Sequence, residues 1–103
     1  VNFKGNACTG TGNTCLIHSS FNIDNVTRTS EGVFDVYWDR DFSAGNYTVI
    51  ASVDSSSLPC TNFCEASVEK YYKGNVRLTI VDINGAGGVD DVPTVNILAF
   101  GEQ

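Results

Sequence analysis

Residues 25–53, NVTRTSEGVFDVYWDRDFSAGNYTVIASV, hold two segments in which apolar and polar side chains alternate one by one. From Val33 to Asp39, Phe34, Val36 and Trp38 share one parity while Asp35, Tyr37 and Asp39 share the other. From Asn46 to Val53, Tyr47, Val49, Ala51 and Val53 form the apolar parity. A period of two is that of a strand with one buried face. The intervening DRDFSAGN is rich in turn formers, so the two segments read as an antiparallel pair. The same reading predicts strands near Val1 to Asn6, Cys15 to Phe21, Asn25 to Arg28, Val33 to Asp39, Tyr47 to Asp54, Phe63 to Tyr72, Val76 to Ile83 and Thr94 to Gly101. Only Glu65 to Lys73 fits a helical stripe nearly as well, through Ala66, Val68, Tyr71 and Tyr72. Turn clusters such as Ser30-Glu31-Gly32 and Lys73-Gly74-Asn75 separate the strands. The expected fold is all-β, an antiparallel β-sandwich of about seven or eight short strands.

Within that fold Val76, Leu78 and Ile80 should point into the core, with Arg77, Thr79 and Val81 opposite. The last strand breaks the rule. Val95, Ile97 and Ala99 lie on one face, but Leu98 and Phe100 make the other face apolar as well, so a loop or a neighbouring subunit should cover it. Tyr37, Phe63 and Tyr71 also fall off the core parity and are expected to face outward, with the adjacent Tyr72 a further candidate, where aromatic rings stack on sugars or enter subunit contacts.

At 103 residues the chain has room for a single domain, residues 1–103. It lacks any apolar run of the roughly 18 to 20 residues that a membrane helix needs, so no membrane insertion is expected. Its net charge is −6 and its six basic residues are scattered. Nucleic acid is therefore not an expected partner, since phosphate binding requires clustered Lys or Arg. The sequence begins at Val1 without a basic and apolar leader, which fits either a processed small protein or the end of a longer chain.

Four cysteines are disulfide candidates. Cys8 and Cys15 bracket a Thr/Gly/Asn tip that a hairpin would reverse, and Cys60 and Cys64 flank a turn after Pro59. Three pairings are possible; local pairing, 8 with 15 and 60 with 64, is the expected connectivity, with the cross-pairings and free buried thiols as the alternatives. Zinc fits poorly, because only the 60/64 pair has ligand spacing. Asp82-Ile83-Asn84-Gly85 with Asp90 and Asp91 has neither the spacing nor the closing glutamate of a calcium loop. No cofactor is expected.

Catalytic chemistry is not expected either. His18 is the one histidine, Ser55-Ser56-Ser57 reads as a polar loop, and no nucleophile elbow, metalloprotease helix or phosphate loop is present. Asp35, Asp39 and Asp41 supply carboxylates of the kind glycoside cleavage uses, but acids on a sandwich face are expected to be solvated.

A series of short motifs adds a resemblance. Val1-Asn2-Phe3 is followed by Ser20-Phe21-Asn22-Ile23 leading into Val26-Thr27. Gly32-Val33-Phe34-Asp35-Val36 and Asn46-Tyr47-Thr48-Val49 come next, then Val76-Arg77-Leu78 and finally Val95-Asn96-Ile97-Leu98-Ala99-Phe100-Gly101. In this order they resemble a module at the carboxyl ends of bacteriophage tail fibres and related virion proteins, nearly end to end apart from residues 54–72. The resemblance implies a non-enzymatic virion module acting in host attachment. It also implies homo-oligomers, often trimers, with other virion proteins and a host surface glycan as partners. A capsid or neck decoration protein and a free-standing carbohydrate-binding module are the rival expectations.

Overall fold

The computed structural model describes residues 1–9, 13–53, 64–82 and 94–103. Eight strands form: β1 (Asn2–Lys4), β2 (Leu16–Ser19), β3 (Ile23–Ser30), β4 (Val33–Trp38), β5 (Thr48–Val53), β6 (Cys64–Tyr71), β7 (Asn75–Asp82) and β8 (Val95–Phe100). They make two four-stranded antiparallel sheets, the first in the order β2-β1-β8-β5 and the second in the order β3-β4-β7-β6. The architecture is a β-sandwich, and among the described residues no α-helix occurs. Residues 65–71 lie within β6, so the helical alternative for that stretch is set aside.

The core follows from the alternation. Phe34, Val36 and Trp38 of β4 and Val76, Leu78 and Ile80 of β7 point inward from the second sheet, and Phe3, Val95 and Ile97 meet them from the first. Phe3 and Phe34 touch edge to face across the layers, with centroids 5.3 Å apart. Tight turns serve β3–β4 and β6–β7. Gly32 sits at φ 67° in the first of these, a conformation that glycine adopts without a Cβ penalty.

One expected pairing does not form. β4 pairs with β3 and β7, whereas β5 pairs with β8 in the other sheet. The reason is Phe42, which stands in the middle of the supposed polar turn but is buried. Its ring stacks on Tyr47 at 4.0 Å, and its amide donates to the Lys73 carbonyl at 3.0 Å. Residues 39–47 are thus an anchored crossover between the sheets and not a hairpin.

Cys8 and Cys15 form the expected local disulfide, buried beside the β1–β2 hairpin. Cys64 is also disulfide-bonded. Its expected partner, Cys60, lies outside the described residues.

Candidate association surface

β8 is an inner strand of its sheet, and its two faces have different fates. Val95 and Ile97 are buried in the core, while Leu98 and Phe100 point away from it and are 60% and 57% exposed. Directly opposite Leu98 on β5 is Ile50, itself 57% exposed. Residues facing each other across an antiparallel pair share a face, so Ile50, Leu98 and Phe100 form one apolar strip on the outside of the first sheet. Phe21, 91% exposed in the β2–β3 connection, joins Leu98 and Phe100 in lining a groove of about 290 Å³ with Trp38 and Phe42. On its other side the strip meets a polar row of Ser52, Asn96 and Asn2, in which the Asn2 amide donates to the Asn96 side-chain oxygen.

The expected aromatic surface is dispersed. Tyr37 is half-buried on the outer face of the second sheet, between Asn25 and Asn75 and away from the β8 strip. Tyr71 is 42% exposed, but its register is not the one its parity implied. A register shift between Val68 and Lys70 brings it opposite Val76, on the core side, where its ring meets Tyr47 edge to face at 5.3 Å. A β-bulge inverts the alternation downstream of it, which simple parity cannot anticipate. Tyr71 and Tyr72 keep part of their surface exposed at the end of the sandwich. Phe63 lies outside the described residues.

Beneath Tyr71 the crossover is fixed by a hydrogen-bond relay. The Trp38 indole N–H donates to the Tyr47 hydroxyl at 3.1 Å. That hydroxyl is placed to donate to the carbonyls of Tyr72 at 2.8 Å and Asn75 at 2.9 Å. Burial pushes the Tyr47 phenol above its ordinary pKa, so it remains a neutral donor.

The acids of the second sheet are not uniformly solvated, contrary to expectation. Asp39 and Asp41 are exposed, but Asp35 is only 6% exposed and accepts two hydrogen bonds of 2.7 Å from Arg77, with Thr29 donating a third. The Arg77 hydrogen bond holds the Asp35 carboxyl below its usual range against the opposing effect of burial. A carboxylate clamped in this way is a structural anion, unsuited to proton transfer near neutrality. His18 is exposed on β2. Among the described residues no three of His, Cys, Asp and Glu converge to hold a metal ion; residues 83–93, with Asp90 and Asp91, lie outside them.

Sequence reasoning found Leu98 and Phe100 but missed Ile50 and Phe21. Ile50 was readable, since it stands off the Tyr47/Val49/Ala51/Val53 parity. Phe21 was expected at the end of a strand from Cys15, but β2 stops at Ser19 and Phe21 falls in the connection beyond it, where strand parity no longer sets its direction. Comparison with protein-family models, curated proteins and solved structures returns no match.

Proposed function

We propose that this chain is a non-enzymatic module of a bacteriophage virion, of the tail-fibre-tip type, acting in host attachment and working in contact with other virion chains. The observation that carries this reading is the exposed Ile50/Leu98/Phe100 strip on a sheet whose opposite face already fills the core. Exposed contiguous apolar surface on a small domain marks an interaction site. The order of motifs from Val1-Asn2-Phe3 to Phe100-Gly101 supplies the virion setting. The site chemistry agrees with a binding role: it offers apolar surface, a row of amides and hydroxyls, and partly exposed tyrosines at one end, which suits protein contacts and sugar stacking. The test is adsorption. A fluorescent fusion of the module should decorate cells of a susceptible bacterium, and excess unlabelled module should slow adsorption of the phage. If neither effect occurs, the attachment role is rejected.

A further inference from the structure

We infer that a second copy of this chain covers the strip, the outer β5–β8 face of one molecule packing on the same face of the other about a two-fold axis. The inference deepens the assembly part of the proposed function and relies on that reading only for its biological setting. Charge is the first argument. The outward positions of β5 and β8 are Thr48, Ile50, Ser52, Asn96, Leu98 and Phe100, none of them ionisable, in a chain of net charge −6. Two acidic copies can meet there without opposing like charges at the contact, whereas a partner chosen by opposite charge finds nothing on this face to pair with.

Area is the second argument. A fully covered aromatic side chain buries roughly 150–250 Å²; scaled by exposure, Phe21, Phe100, Leu98 and Ile50 together present about 500 Å² of apolar surface, toward the upper end for a typical monomer's largest patch. A stable interface needs about 800 Å² from each partner. The adjoining Thr48, Ser52, Asn96, Asn2 and Ser19 supply the remainder as a polar rim. An interface with an apolar centre and a hydrogen-bonding border has the usual anatomy. Because the same patch serves both molecules, the contact is isologous and closes at two. The trimer implied by the resemblance would instead need a second, different patch.

Cysteine cross-linking and light scattering test this. Leu98→Cys, in the middle of the strip, should form an interchain disulfide under mild oxidation. Ser67→Cys, exposed on the outer face of the second sheet, should not. The wild type should scatter as a dimer, and raising salt should preserve or strengthen association by screening the net charge. Ile50→Lys should shift it to monomer with its near-ultraviolet dichroism intact. A wild type that stays monomeric at several hundred micromolar overturns the inference, as does equal cross-linking at Leu98 and Ser67 or dissociation by salt. A dimer that fails to adsorb to cells would remove the attachment role and keep the pairing. A monomer that adsorbs would do the reverse.

Discussion

At the scale of single residues, polar groups half inside the sandwich determine how its parts are held. Asp35 and Arg77 sit opposite each other on β4 and β7 and join the middle strands of the second sheet. Replacing Asp35 with Asn leaves Arg77 without its anion, and hydrogen bonds to charged groups contribute about 1.5–3 kcal/mol. Since the folded-state pKa of Asp35 is depressed, its contribution is fully present above the unfolded value near 4 and is lost as pH falls through the lower folded value. Urea titrations should show Asp35→Asn less stable at neutral pH by about 2 kcal/mol, with the gap to wild type closing under acid. Tyr47→Phe removes one hydroxyl and strands the Trp38 indole N–H, at an expected cost of about 1–3 kcal/mol. Gly101 has a steric role: a Cβ there would lie 2.6 Å from the Tyr47 Cβ and 2.9 Å from a Phe42 ring carbon. Gly101→Ala should therefore lower the melting temperature, measured by dichroism, although Gly101 itself is exposed.

At the scale of elements, strand positions were legible in the sequence and strand partners were only partly so. A period of two is local, so all eight strands and the buried parity of β4, β7 and β8 follow from reading along the chain. Pairing β5 with β8 joins residues about fifty positions apart and depends on where the crossover buries Phe42, which no short window contains. The Asp35–Arg77 clamp and the bulge that sets Tyr71 opposite Val76 and against Tyr47 were hidden for the same reason. On the candidate surface, Leu98 and Phe100 were legible as departures from a clear alternation, whereas Phe21 was read as the end of a strand that in fact stops at Ser19. Two element-scale outcomes follow. Trp38 continues the Phe34/Val36 face and is buried against Phe42 and Tyr47, so Trp38→Ala should cost about 3–5 kcal/mol in chemical denaturation. The Cys8–Cys15 bridge closes a short loop and is buried; Cys8→Ala with Cys15→Ala should destabilise by about 2 kcal/mol, seen as a lower urea midpoint.

For the whole molecule, two sheets bury one apolar core, and the first sheet carries a second apolar surface on its outside. That surplus is hard to explain in a solitary domain, because Ile50, Leu98 and Phe100 add little to its core while exposing hydrocarbon to water. It is readily explained where chains assemble, with the sandwich presenting an apolar strip on one face and partly exposed tyrosines at one end. Sedimentation equilibrium of the wild type beside Leu98→Lys measures this directly. The association surface predicts a concentration-dependent dimer for the wild type and a folded monomer for the variant at every concentration. A wild type with the mass of one chain throughout, or a variant that associates as well as the wild type, would contradict it.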